Sequence, residues 1–355
     1  MTETAPEALK GEDWAGEMGA RWLASLDRFE SMIALIGATL LERADYAPGE
    51  RVLDLGCGGG ATTLAIAEAV GPGGAALGLD VAPMLIDRAR QRAAGAASTA
   101  RFVCADAATA KLDTPPFGRL FSRFGSMFFE APVPAFTNLR GLLKPGARID
   151  LAVWANPRDN LWMMEVMGVV RQHVEIPPAV PRAPGPFAFE DLGYLEEVLT
   201  GAGFSGMDVA TYAGLQPVGG PGATPDEATD FVLASMAAGR ILAEQGEAVL
   251  AAARADLAAM FAHHHRDGHC PKAHLRETRA CSVPMPQCSR QLLPTSAQAL
   301  VLLQRGCRST VPEFQRRPPQ IPSCPEFQNR SRFAAQHRHP QMPATFLLGP
   351  RDRGS

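Results

Sequence analysis

No stretch of this 355-residue sequence reaches the roughly 18 uncharged apolar residues of a membrane-spanning helix. The first 22 residues carry five acidic side chains and no apolar core, which argues against a secretory signal. The seven cysteines are accordingly expected as free thiols in a reducing, cytoplasmic setting. Cys270, Cys281, Cys288, Cys307 and Cys324 contain no pair at zinc-module spacing, so no metal site is expected. The three adjacent residues His263, His264 and His265 point in different directions on a helix and do not change that. No internal repeat is present.

Glycine is scarce in one region only. Of 34 glycines three follow Gly268, whereas five of the seven cysteines and twelve of the thirty prolines do. The same 87 residues hold thirteen Lys or Arg against four acidic residues, a net +9 that leaves −12 on the rest. The basic residues are scattered among prolines and hydrophobics, unlike a nucleic-acid arm. The acidic body would repel phosphates, so no nucleic-acid partner is expected. A simultaneous change in Cys, Pro, Arg and Gly usage is what a shifted coding frame after codon 268 would leave. Proline at this density predicts a largely disordered tail over 269–355.

The body alternates between strand and helix patterns. Strands are expected at 51–55, 75–79, 101–104, 119–122 and 148–154. Helices are expected at 61–70, 84–94 and 136–143, with Gly71-Pro-Gly-Gly and Lys144-Pro-Gly as turns. The pattern weakens through the prolines of 155–187. It resumes with a helix at 191–201, a strand at 204–215 and two helices over 225–260 joined around Gln245-Gly246. This is an α/β class: a Rossmann-like, doubly wound, mostly parallel sheet with helical insertions, about 155–200 and 225–262. The domain is expected over 46–268, behind an N-terminal helical segment, 1–45.

Ligands of such sheets bind beyond the carboxyl ends of the strands, where the unusual residues fall. Asp54 precedes the alternate glycines Gly56, Gly58 and Gly60, which let a ligand approach free backbone N–H groups. Asp80 ends the second strand, placed to accept both hydroxyls of a ribose. Asp106 closes the third, placed to accept from the exocyclic amine of a base. Any one of these could mark a turn or a helix cap; together they end three successive strands. Gly56-x-Gly58-x-x-Ala61 also satisfies a dinucleotide fingerprint, so a nicotinamide oxidoreductase stays an alternative. Against it, an acidic pocket suits an ammonium and a sulfonium better than a diphosphate.

Val52-Leu-Asp-Leu-Gly-Cys-Gly-Gly-Gly, Leu79-Asp80 and Cys104-Ala-Asp106-Ala resemble the first motifs of class I S-adenosylmethionine-dependent methyltransferases. Ser122-Arg-Phe-Gly-Ser-Met-Phe-Phe, Phe136-Thr-Asn-Leu-Arg, Lys144-Pro-Gly-Ala-Arg and Val153-Trp154 resemble a bacterial small-molecule branch related to ubiquinone and menaquinone methyltransferases. Trp14-Ala-Gly-Glu-Met-Gly-Ala-Arg-Trp22 is similar to its lid. The likeness covers roughly 13–262. It implies that Asp54 and Gly56 hold the methionine moiety, Asp80 the ribose, and Asp106 with the Ala107 N–H the adenine. Arg123 and Phe124 would then face the methyl group. It also implies a seventh, antiparallel strand between the fifth and sixth. The segment expected to supply it, just after Gly268, carries Pro271 and alternates poorly, so the loss of an interior strand is expected.

In-line methyl transfer needs alignment and exclusion of water, and a base only if the acceptor must lose a proton. His173 reads as a surface residue of a helix and Cys57 as a small filler in the glycine loop. Phe128, Phe129, Trp154 and Trp162, with Met163, Met164 and Met167, are candidates for an apolar acceptor pocket. The expected activity is methylation of a small apolar or aromatic acceptor with S-adenosyl-L-methionine; a cofactor-binding protein without turnover is the second class.

Overall fold

The computed structural model describes residues 13–265 and the backbone of 297–307. Three short helices open it, α1 (Glu17–Ala24), α2 (Leu26–Met32) and α3 (Ala34–Ala44). Asp45, in a left-handed conformation, ends α3. There follow β1 (Arg51–Leu55), α4 (Ala61–Val70), β2 (Ala75–Asp80), α5 (Pro83–Gly95), β3 (Arg101–Cys104), β4 (Phe117–Arg123), α6 (Pro132–Gly141) and β5 (Leu143–Trp154). The chain continues through α7 (Leu161–His173), α8 (Leu192–Gly201), β6 (Phe204–Leu215), α9 (Pro225–Ser235), α10 (Ala237–Ala243), α11 (Glu247–His264) and β7 (Ala297–Cys307). Helix starts follow local chemistry. Pro83 sits in the first turn of α5, where its missing N–H costs nothing. Thr224 and Glu227 form a reciprocal capping box on α9.

The strand order is β3-β2-β1-β4-β5-β7-β6, with β1 to β5 parallel and β7 antiparallel to both neighbours. From β1 the chain steps outward to β2 and β3; from β4 it steps the other way to β5. Right-handed crossovers therefore place α4 and α5 on one face and α6 on the other, where α6 packs against α8. The reversal leaves a crevice beyond the carboxyl ends of β1 and β4.

Central strands are buried almost continuously, as strands covered on both faces must be. Val52, Leu53, Leu120, Phe121, Ile149, Leu151, Ala152 and Val153 are all at 0% exposure. Each large aliphatic or aromatic side chain among them stabilises the fold by about 1.5–3 kcal/mol. Polar groups enter the core at the opposite end from the crevice. There Arg119 bonds Asp150 at 3.0 Å and Glu50 at 3.3 Å, with its guanidinium 4.6 Å from the Tyr46 ring centroid. This cluster ties the loop after α3 to the floor of the sheet.

Four expectations need correction. Helix α6 spans Pro132–Gly141 rather than 136–143, because Pro132 and Pro134 fall in a first turn that tolerates proline. Strand β5 starts at Leu143, ahead of the turn sequence. Between the pairs Phe117↔Leu143 and Arg119↔Arg148 it advances five positions to two on β4, so Lys144-Pro-Gly forms a bulge inside it. The region 225–260 holds three helices. The extra break is at Met236, whose backbone is extended (φ −108°, ψ 161°). A Cβ on Gly239 would collide with the Leu233 carbonyl oxygen, so α10 folds onto the end of α9 at a distance only glycine permits. Last, the interior strand is not lost. It is Ala297–Cys307, paired from Arg148↔Gly306 to Trp154↔Leu300 on one side and from Phe204↔Cys307 to Leu215↔Ala297 on the other. The run Ala299-Leu-Val-Leu-Leu303 is apolar and free of proline, as a strand paired on both edges requires. The expected disorder of 269–355 therefore fails for 297–307; the remaining tail residues, including 269–279, lie outside the described residues. Among the described residues no helix is long and apolar enough to cross a membrane.

Candidate functional site

Beyond Leu55 the chain turns at Gly56 (φ +65°), whose N–H donates to the Leu79 carbonyl at 2.8 Å. A Cβ on Gly56 would lie 2.6 Å from the Cα of Gly125, and one on Gly125 would lie 2.7 Å from the Cα of Gly56. Two backbones thus touch at the crevice, one after β1 and one after β4. Gly60 starts α4 in a left-handed conformation and packs toward Ala89 and Phe102, away from the crevice.

Asp54 lies beneath the loop, 1% exposed, with Thr62 and Thr63 donating to its Oδ2 at 2.7 and 2.6 Å. It pins the first turn of α4 and, like Gly60, is off the cavity wall. Direct ligand contact by Asp54 or Gly60 is thereby corrected to support of the loop. Burial pushes the Asp54 carboxyl up to about 6, against the pull of the two threonine hydrogen bonds and of Arg123. A carboxyl raised by folding favours the folded state below about pH 4 and loses that contribution as pH climbs through about 6. A shift of about two units corresponds to on the order of 2–3 kcal/mol. Asp54→Asn, which can still accept from the threonines, should therefore gain stability relative to the wild type between about pH 4 and pH 6.5. Urea denaturation at both pH values reads the difference; an unchanged gap would rule out the buried acid as its source.

Asp80 ends β2 with both oxygens engaged. Gly58 N–H donates to Oδ2 at 2.8 Å and Ala82 N–H to Oδ1 at 2.9 Å. Burial raises this carboxyl, and the hydrogen bonds from Ala82, Gly58 and Val81 pull it back. Each oxygen keeps a second lone pair. Asp106 accepts from the Ala108 N–H at 2.9 Å, an Asx turn that fixes the loop after β3 and presents the neighbouring Ala107.

Gly56, Gly58, Asp80, Asp106, Ala107, Arg123, Phe128, Phe129, Trp154 and Trp162 all line one cavity of about 570 Å³. A Cβ on Gly58 would meet nothing closer than Trp22 Nε1 at 3.9 Å, so the space above that glycine is open. Phe124 adopts φ +69°, a strained conformation for a bulky residue. Its N–H bonds the Ala152 carbonyl at 3.0 Å and its ring stacks on Trp154, centroids 4.5 Å apart, which hold the strain in place. Trp154 is in turn 6.2 Å from Trp162 of α7, where Met163 and Met167 also reach the wall; Met164 points out and is 37% exposed.

The cover brings the lid-like N-terminal segment together with residues that no local pattern singles out. Trp22 stacks on Phe29 of α2 at 3.8 Å, Phe29 meets Phe231 of α9 at 4.7 Å, and Trp14 meets Phe128 at 4.8 Å. Ser25 and Ser235 share a hydrogen bond of 2.6 Å, joining the N-terminal helices to α9. Arg92 of α5 donates to Glu30, Asp27 and the Gly59 carbonyl, fixing α2 over the glycine loop. Glu30, Phe29, Ser235 and Met236 line the cavity, and helices α2 and α9 meet beside it across about 200 positions, beyond any local pattern. Cys57 is also on the wall, buried, its thiol pushed up by burial. His173 is half-buried near the surface, its side chain 15% exposed and bonded to Asp256 at 2.8 Å, while His264 bonds Glu165 at 2.8 Å. Both pairs join α7 to α11, away from the wall.

Residues 52–146 match a family model described as "Methyltransferase domain". The chain is 34% identical over 116 residues to aklanonic acid methyltransferase DauC of Streptomyces sp. (strain C5), covering 32% of this chain and 52% of that protein. It is 34% identical over 118 residues to nocamycin O-methyltransferase of Saccharothrix syringae, covering 33% and 42% respectively. The chain thus spans about half the length of the curated relatives it matches. Among solved structures, the YcgJ protein of Bacillus subtilis aligns over 77% of this chain and 98% of its own, with 15% identity and a TM-score of 0.46.

Proposed function

We propose that this chain, whose residues 52–146 match the model of a methyltransferase domain, is a class I S-adenosylmethionine-dependent methyltransferase that transfers a methyl group to a small apolar or aromatic acceptor. The observation that carries the proposal is the single cavity shared by both sets of groups. Asp80, Asp106 and the glycine loop line it together with the Phe128, Phe129, Trp154 and Trp162 surface. One relative's name, nocamycin O-methyltransferase, points to oxygen as the atom methylated.

The donor set fits the cofactor. Asp80 has free lone pairs for a ribose diol, the Ala107 backbone and Asp106 can read an adenine edge, and the open space above Gly58 admits a ligand against the loop. When bound, the cofactor supplies an electrophilic methyl on a sulfonium. The chain's own work is alignment and exclusion of water, which the aromatic cover of α1, α2 and α9 performs. A cytoplasmic protein without nucleic-acid partners is in keeping with the acidic body.

Calorimetric titration with S-adenosylhomocysteine, with NAD run alongside, tests this. The expected result is micromolar binding of the first and none of the second. Asp106→Ala should weaken binding by about tenfold, the worth of one hydrogen bond to a charged group. Binding of NAD alone would overturn the proposal.

A further inference from the structure

Resting on the methyltransferase function above, we propose that Arg123 is the counter-ion for an oxyanion of the acceptor, and that the acceptor is an apolar or aromatic carboxylate methylated on oxygen to give an ester. Arg123 lies on the cavity wall immediately before Phe124, whose ring stacks on Trp154. Among the described residues its guanidinium makes no hydrogen bond and no contact ion pair. The acidic groups that act on it at longer range, Asp54 and Glu30, are already committed, Asp54 to Thr62 and Thr63 and Glu30 to Arg92. Helix α3 makes room for it: a Cβ on Gly37 would come 2.7 Å from Arg123 Nη1. Arg123 is half-buried and faces the cavity, so a ligand anion there would gain a charge-assisted pair with it.

The rest of the wall points the same way. Among the described residues it holds no His, Lys or Tyr. Its carboxylates are engaged: Asp80 by two backbone N–H groups, Glu30 by Arg92, Asp106 by its own turn, and Asp13 by the Gly16 N–H. Among the described residues, then, every carboxylate of the wall already accepts at least one hydrogen bond. The wall, among the described residues, is therefore poor in uncommitted bases and carries one cation without a contact partner. That suits a nucleophile already ionised at neutral pH and carrying acceptor oxygens.

The step balances without a proton. One carboxylate oxygen forms the new C–O bond with its lone pair, and the C–S bond breaks with its electron pair passing to sulfur. The −1 of the carboxylate and the +1 of the sulfonium are both consumed, leaving a neutral ester and a thioether. Arg123 would orient the carboxylate through a bidentate pair. It is a binding and specificity residue.

The donor's methionine carboxylate has the same chemistry as the acceptor's, so the experiment separates the two. Full-length protein saturated with S-adenosylhomocysteine is titrated with anthraquinone-2-carboxylate and with anthraquinone-2-carboxamide, followed by tryptophan fluorescence. The wild type should prefer the carboxylate by at least about tenfold. Arg123→Met should abolish that preference and leave S-adenosylhomocysteine affinity within about threefold, and Arg123→Lys should restore part of it. Near-UV circular dichroism of both variants guards against misfolding. Equal binding of the two probes, or no binding of either, overturns the proposal. So does an Arg123→Met protein that loses cofactor affinity about tenfold while keeping the probe preference, since the guanidinium would then serve the donor. Failure of the wild type to bind S-adenosylhomocysteine is a different result: it removes the methyltransferase function itself.

Discussion

Gly125→Ala is expected to lower affinity for S-adenosylhomocysteine about 100-fold, the scale set by a backbone shift approaching 1 Å at a binding site. The cause is steric. A Cβ at this position would lie 2.7 Å from the Cα of Gly56 and 2.8 Å from the Leu55 carbonyl oxygen, and neither can yield as a flexible side chain does. The loops after β1 and β4 would be forced apart where both line the cavity. Overpacking of this kind also costs about 1–3 kcal/mol of folding stability. Titration calorimetry and urea denaturation read the two effects separately. A variant binding within threefold of the wild type would show that the loops do not meet as described.

The second large effect concerns Asp80. On the proposed function its carboxylate accepts two ribose hydroxyls while holding the Gly58 and Ala82 N–H groups at 2.8 and 2.9 Å. Hydrogen bonds to a charged acceptor are worth about 1.5–3 kcal/mol each, so Asp80→Ala should weaken S-adenosylhomocysteine binding by at least about 100-fold. It also leaves two backbone donors of the loop without their acceptor. Asp80→Asn separates these consequences, because one amide oxygen can keep a single N–H while the second acceptor is lost; its affinity should fall between the other two. Asp80→Ala protein with wild-type affinity would mean that the ligand does not reach the end of β2.

How the chain divides into legible and illegible parts follows from the range of the interactions. The strands at 51–55, 75–79 and 101–104 were readable because their burial and their bounding turns are local: Gly71-Pro-Gly-Gly ends α4 and Pro83 begins α5 wherever the chain goes next. The end of β5 was readable and its beginning was not. The bulge at Lys144-Pro-Gly looks like a turn unless one knows that Leu143 pairs with Phe117. The break at Met236 was hidden for a similar reason, since Gly239 is needed only against the Leu233 carbonyl of the preceding helix.

In the site, residue types at strand ends determined by themselves that Gly56, Gly58, Asp80 and Asp106 would converge, because a parallel sheet brings all its carboxyl ends to one edge. They could not determine direction within a side chain's reach. Asp54 follows the same rule of position, yet its carboxylate turns beneath the loop to Thr62 and Thr63. Nor could they assemble the cover, where Trp22, Phe29 and Phe231 meet across some 200 residues through packing alone. The interior strand shows the limit most clearly. Composition marked 269–355 as a tail without order, while the apolar run at Ala297–Cys307 fills the gap between β5 and β6. Sequence pattern sets which elements form and which strand ends carry chemistry. Only the tertiary structure decides which distant edges are left open for pairing, and therefore what a short apolar segment becomes.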